Sequence, residues 1–166
     1  MTMITKNETG IIKDASGKKL IVTRRFNAPL GKVWQAWTQR ELLDKWWAPK
    51  PWKTQTQSLD FTPGGQWRYA MVGPDGEKHY CLVNYSEIED KKSFSGTDAF
   101  CDADGNILAD FPSTLWYVHF IDAGADTDVR VELVFETEAD LEKLVEMGFK
   151  EGFTMAHGNL DELLAE

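Results

Sequence analysis

The sequence predicts an α+β fold in which an antiparallel sheet packs against a long C-terminal helix. Between Trp52 and Phe135, apolar residues recur with period two and turn-forming sequences separate the runs, which indicates a meander of strands. A helical period then continues to the end of the chain. The 166 residues contain no repeat or linker. We therefore expect one domain over residues 18–166, preceded by a flexible polar lead-in at residues 1–17.

The first elements are predicted to be a strand and two short helices. Residues 20–26 are rich in β-branched side chains and form the first strand. Pro29 suits the start of a helix, and apolar residues recur at helical spacing through residues 30–37. A second helix fits residues 40–47, and Pro49 ends it. The tryptophans of these helices, by their spacing, belong to the core or to the mouth of a pocket: Trp34, Trp37, Trp46 and Trp47.

Six further strands are predicted up to residue 135, which gives a sheet of seven. Three of these strands have one markedly apolar face, formed by Trp67, Tyr69 and Met71, by Trp116, Val118 and Phe120, and by alternate residues of the run 129–135. Tyr117 and His119 alternate with the second set and are expected to face solvent. The run at residues 79–88 is apolar on both faces, so its inward face stays open.

The C-terminal helix is predicted to start at a capping box and to break once. Thr137 is followed three residues later by Asp140, the spacing of a helix cap. Gly148 and Gly152 lie within the helical pattern, where glycine is unfavourable, and they predict a break near residues 147–148.

Composition and motifs exclude several classes of function. With 27 acidic and 18 basic residues the formal charge is −9, which disfavours binding to nucleic acid. No apolar run is long enough to span a membrane, and residues 1–10 do not resemble a signal peptide, so we expect a cytoplasmic protein.

The sequence also gives no sign of a metal or a cofactor. Cys81 and Cys101 stand alone, and the three histidines fall in separate elements. No glycine-rich phosphate loop and no nucleophile elbow occur, so we expect no cofactor and assign no catalytic residue.

Four sequence motifs, in order, carry a resemblance to a known family. They are Arg-Phe-Asn-Ala-Pro at residues 25–29, Leu-Leu-Asp-Lys-Trp-Trp-Ala-Pro at 42–49, Asp-Phe-Thr-Pro-Gly-Gly-Gln-Trp at 60–67 and Glu-Met-Gly-Phe-Lys-Glu-Gly-Phe at 146–153. Over about residues 18–166 the chain resembles the AHSA-like family, named for the activator of the heat-shock-protein-90 ATPase, within the START-like or SRPBCC superfamily. The resemblance implies a helix-grip fold, similar to that of the birch-pollen allergen, in which a curved seven-stranded sheet surrounds the C-terminal helix and leaves a hydrophobic cavity.

The high aromatic content fits such a cavity, since the chain holds seven Trp, nine Phe and four Tyr. The residues expected to line it are Trp67, Tyr69, Met71, Tyr80, Trp116, Val118, Phe120, Phe149 and Phe153. Polar groups that could enter it are Tyr69, Tyr80, Asp98, His119 and His157.

We therefore expect a protein that binds a small hydrophobic molecule of unidentified structure, and not an enzyme. Two alternatives stay open: a cyclase-like or hydrolase-like enzyme acting on a hydrophobic substrate in the same cavity, and a module that regulates a chaperone ATPase or binds another protein. A chaperone partner is not expected, because the activator that names the family engages the chaperone through an additional N-terminal domain. The sequence leaves a homodimer possible.

Overall fold

The computed structural model describes residues 6–166, and the first five residues of the lead-in lie outside the described part. Residues 6–166 form eight strands and four helices. The strands are β1 (Gly10–Lys13), β2 (Lys19–Phe26), β3 (Lys53–Leu59), β4 (Gln66–Val72), β5 (Lys78–Glu89), β6 (Ser93–Cys101), β7 (Thr114–Ala123) and β8 (Asp126–Val134). The helices are α1 (Leu30–Thr38), α2 (Arg40–Trp46), α3 (Glu138–Glu146) and α4 (Phe149–Leu164).

All strands join one antiparallel sheet in the order β1-β2-β8-β7-β6-β5-β4-β3. Strands β3 to β8 form the predicted meander, and β2 pairs with β8 to extend it. The sheet has eight strands instead of the predicted seven, because residues 10–13 of the assigned lead-in pair with β2 as an edge strand. That strand has four residues and only two adjacent apolar side chains, too few for a period to be visible.

The helices follow the sequence pattern closely. Pro29 is the residue that precedes α1, and no side chain caps this helix. The capping box of α3 is confirmed, since Thr137 Oγ1 accepts a hydrogen bond of 3.1 Å from the backbone N–H of Asp140. The predicted break is confirmed too: Gly148 has φ of 92° between α3 and α4, a left-handed conformation that favours glycine.

Helix α4 lies against the inner face of the sheet and completes the core. Its buried side chains include Phe153, Ala156 and Leu160, and they belong to the same cluster as the inward residues of β2 and β8. Between these layers, Trp37 packs edge to face on Trp46, with ring centroids 4.8 Å apart. The antiparallel sheet and the long covering helix confirm the helix-grip α+β fold.

A buried polar network connects the N-terminal part of the sheet to α4. Arg24, only 5% exposed, forms an ion pair with Asp161 of α4. Its Nη1 also donates to Thr9 Oγ1 over 2.8 Å, and the Thr9 hydroxyl lies 2.8 Å from Nδ1 of His157. Because buried charges are costly without partners, this network fixes where α4 sits relative to β2.

The two glycines Gly148 and Gly158 make a matched pair of substitutions. We expect Gly148→Ala to lower the free energy of unfolding by about 1 kcal/mol, because alanine is strained at this positive φ. We expect Gly158→Ala, inside α4 with open space around it, to raise that free energy by about 1 kcal/mol through helix propensity. Urea denaturation followed by circular dichroism measures both changes in the free energy of unfolding. If both substitutions changed it in the same direction and by the same amount, the assigned break would be contradicted.

Candidate functional site

A cavity of about 500 Å³ lies between the inner face of the sheet and the junction of α3 with α4. Strands β4 to β7 form one wall, α3 and α4 form the other, and the segment after α2 closes one side. The cavity is partly open to solvent, and its lining is mainly apolar.

Strand register determines which side chains form the sheet wall. Tyr69 of β4 lies opposite Cys81 of β5, which lies opposite Phe100 of β6. Asp98 is two residues before Phe100 on the same face and lies opposite Thr114 of β7. A ladder of inward positions therefore crosses four strands and brings an aromatic ring, a thiol, a carboxyl and a hydroxyl into one cavity.

The helical wall combines rings with small residues. Phe149 and Phe153 lie one turn apart on α4, with ring centroids 5.2 Å apart. Gly148 and Gly152 also line the cavity, and neither has a side chain that could fill it. These glycines, which were predicted to mark a break, also leave the space open at this end of α4.

Trp47, directly after α2, joins the two walls. Its Nε1 donates a hydrogen bond of 3.0 Å to Tyr69 Oη. Its ring centroid lies 5.8 Å from that of Trp116 and 6.0 Å from that of Phe153. At the mouth, the rings of Trp52 and His79 lie 5.3 Å apart.

The structure places five of the nine predicted lining residues on this cavity. These are Tyr69, Met71, Trp116, Phe149 and Phe153. Trp67 and Val118 border a separate void of about 20 Å³ deeper in the core. Phe120 packs against Trp34, with ring centroids 5.0 Å apart, and is a core residue.

The prediction for Tyr80 was wrong. The register shift in β5 lies between Tyr85 and Ile88, after the residues that face the cavity. Cys81 therefore points inward, and Tyr80 packs on the other face with Leu82 and Cys101. Because both faces of this strand are apolar, the sequence pattern alone could not distinguish them.

Besides Tyr80, two more of the polar candidates lie away from the cavity. His119 is on the outer face of β7, where its Nε2 lies 3.6 Å from a Glu132 carboxylate oxygen. His157 is buried in the core beside Phe153, with ring centroids 4.2 Å apart. Burial and the nearby Arg24 charge lower the pKa of His157 to about 3, so it is neutral at pH 7.

Asp98 is the carboxyl that enters the cavity. Removal from water raises its pKa to about 7, and the nearby Trp116 indole and Thr114 donors offset only part of this effect. The Nε1 of Trp116 is buried and has no hydrogen-bond partner of good geometry within residues 6–166. Asp98 therefore changes its protonation state near neutral pH.

Tyr69 and Cys81 stay neutral under the same conditions. Burial raises the pKa of the Cys81 thiol to about 12, and the Asp98 charge adds to this effect. Burial also raises the pKa of the Tyr69 hydroxyl well above its usual value. Neither residue is therefore an activated nucleophile, since the reactive form of a thiol is the thiolate. Within residues 6–166, no three His, Cys, Asp or Glu side chains are placed to hold a metal ion.

The fold and the cavity define a helix-grip domain, and comparison with known proteins gives its family. Residues 27–165 match the family described as activator of Hsp90 ATPase homolog 1-like protein, and the chain belongs to this family. Among curated proteins, none matches the chain significantly. No helix formed by residues 6–166 has the length and apolar character needed to span a bilayer.

Solved structures from several bacteria have the same fold. A crystal structure from Mycobacterium smegmatis is 29% identical, with a TM-score of 0.87 over 95% of this chain and 96% of that chain. A solution structure from Arthrobacter aurescens is 28% identical, with a TM-score of 0.89 over 94% and 91%. One from Staphylococcus epidermidis is 27% identical, with a TM-score of 0.82 over 93% of each chain.

Asp98→Asn tests the cavity carboxyl. Because its pKa is raised on folding, Asp98 favours the folded state most below pH 4, and this contribution is lost progressively between about pH 4 and pH 7. We expect the variant to match the parent closely at pH 4 and to be more stable at pH 8 by about 1 to 3 kcal/mol, with Tm several degrees higher. Thermal unfolding at both pH values measures this. The exposed Asp75→Asn is the control, and an equal gain in that variant would contradict the assignment.

Proposed function

We propose that this protein binds a small hydrophobic molecule in the cavity between β4–β7 and α3–α4. The observation that carries the proposal is the cavity itself, whose volume of about 500 Å³ suits a small organic ligand. Its walls are largely aromatic and aliphatic, and Asp98, Thr114 and Tyr69 supply a few polar groups at one end. This combination of apolar surface with few polar groups is typical of ligand pockets.

The packing around the cavity supports a site that exists before the ligand arrives. The Trp47 ring is fixed by its hydrogen bond to Tyr69, and Trp67 stacks on Tyr69 with ring centroids 4.1 Å apart. Because these rings are held by other contacts, a ligand need not order them, which lowers the entropic cost of binding.

An enzyme acting on a hydrophobic substrate in the same cavity is the second candidate. The observation that favours it is Asp98, whose pKa of about 7 suits an acid or base that works near neutral pH. Mass spectrometry distinguishes the two candidates. A binding protein returns its ligand unchanged after prolonged incubation, whereas an enzyme converts it and loses that activity in Asp98→Asn.

The remaining expectations concern the location of the protein in the cell, its oligomeric state and its partners. A cytoplasmic location and the possibility of a homodimer stay predictions. A role in chaperone regulation is not part of our proposal, since the name of the family describes another of its members.

Gly152→Leu tests the cavity as a binding site. A leucine there would project from α4 into the cavity, while its Cβ would make an ordinary contact of 3.6 Å with Pro49 Cγ. We expect this variant to fold and to lose at least tenfold in affinity for the neutral apolar dye Nile red, measured by fluorescence titration. Gly158→Leu, on the same helix and away from the cavity, is the matched control and should bind as the parent does. Unchanged binding by Gly152→Leu would place the dye elsewhere.

A further inference from the structure

We propose that the cavity prefers a hydrophobic amine, whose ammonium group pairs with the Asp98 carboxylate while its apolar part lies among the aromatic rings. This inference rests on the proposed function and names the chemical class of the ligand.

The charge in the lining of the cavity is negative. Among the residues of the described range 6–166 that line it, Asp98 is the one acidic side chain, and none is Lys or Arg. The other titratable groups there are Tyr69 on β4 and His79 and Cys81 on β5; the lining parts of β7, α3 and α4 contribute none. The whole chain carries a formal charge of −9, so its long-range field also favours a cation.

Asp98 has donors beside it, but within residues 6–166 it has no cationic partner. Its neighbours across the sheet are Val83 and Thr114, and no Lys or Arg of the described residues contributes to its environment. A carboxylate that is shielded from water and has no cation beside it is unfavourable, and an opposite charge would compensate for this. An ammonium group would supply the missing charge and could donate up to three hydrogen bonds.

Aromatic rings around the same space would also attract a cation. The Trp47 centroid lies 5.8 Å from that of Trp116 and 6.5 Å from that of Tyr69, so three electron-rich rings meet next to the carboxyl. A cation within about 6 Å of a ring centroid is attracted by the negative face of the ring. An anionic ligand would gain nothing from these rings and would be repelled by Asp98.

The protonation of Asp98 gives the expected pH dependence. Because its pKa is about 7, the carboxyl is mainly ionised at pH 8 and mainly protonated at pH 6. Affinity for an amine should therefore fall as pH falls through 7, by roughly tenfold between pH 8 and pH 6. A neutral ligand of the same shape should show no such change.

The test compares three rigid probes of one shape: 1-adamantanemethylamine, 1-adamantanemethanol and 1-adamantanecarboxylate. Isothermal titration calorimetry with the full chain at pH 8 should show the highest affinity for the amine, a lower affinity for the alcohol and the lowest for the carboxylate. The amine should bind at least tenfold more tightly than the alcohol. Asp98→Asn should remove the preference for the amine over the alcohol and the pH dependence of amine binding. Asp75→Asn, which removes an exposed charge, should retain both.

The possible results separate this inference from the proposed function. If the alcohol binds and the amine binds no tighter, or if Asp98→Asn keeps the preference, the amine inference is wrong and the apolar site stands. If the pH dependence persists in Asp98→Asn, it does not come from Asp98 and the assignment to Asp98 is wrong. If the carboxylate binds tightest, Asp98 acts as a protonated donor and the inference is overturned. If no probe binds and Nile red also fails to bind, the proposed function fails as well.

Discussion

The structure depends on one geometric constraint: a single helix has to cover the inner face of a wide, curved sheet. Neighbouring strands lie about 4.8 Å apart and a helix with its side chains is about 10 Å across, so α4 can cover only two or three strands directly. On the side of β2, β8 and β7, α1 and α4 together fill the space with buried residues such as Leu20, Phe26 and Leu133. On the side of β4 to β6, α4 starts at two glycines and the space stays partly empty.

Tryptophan side chains lie along the boundary between the filled core and the cavity. Trp37 and Trp46 pack together in the core, and Trp46 Nε1 donates to the Ala36 carbonyl over 2.8 Å. Trp47 is the next residue, and it extends from that core to the cavity wall. Because Trp47 donates to the Tyr69 oxygen, the hydroxyl proton of Tyr69 remains available for another acceptor. One hydrogen bond thus fixes a ring of the wall and leaves the Tyr69 hydroxyl able to donate.

Strand parity predicted the inner face of the sheet well, and it could not predict how far the cavity extends along that face. The alternation of apolar residues placed Met71 and Trp116 on the inner face of the sheet. Val118 and Phe120 follow Trp116 on the same face, but Phe120 packs against Trp34 of α1, and Val118 borders the small void deeper in the core. The pattern gives the side of a strand on which a residue lies, whereas the position of the covering helix depends on tertiary packing. Cys81 was not identified as a lining residue for a similar reason: both faces of β5 are apolar, and only the register places this side chain inside.

Asp98 in the cavity and His157 in the core act on stability in opposite directions. Asp98 binds its proton more tightly in the folded state, so between about pH 4 and pH 7 its contribution falls as pH rises. His157 binds its proton less tightly when folded, because burial lowers its pKa to about 3, so its contribution rises with pH over nearly the same range. Each group contributes a slope of at most about 1.4 kcal/mol per pH unit, and the two slopes largely cancel between about pH 4 and pH 6.5. The folded state can therefore keep an ionisable carboxyl in its cavity without a steep dependence of stability on mildly acidic pH, because the neutral histidine in the core compensates for it.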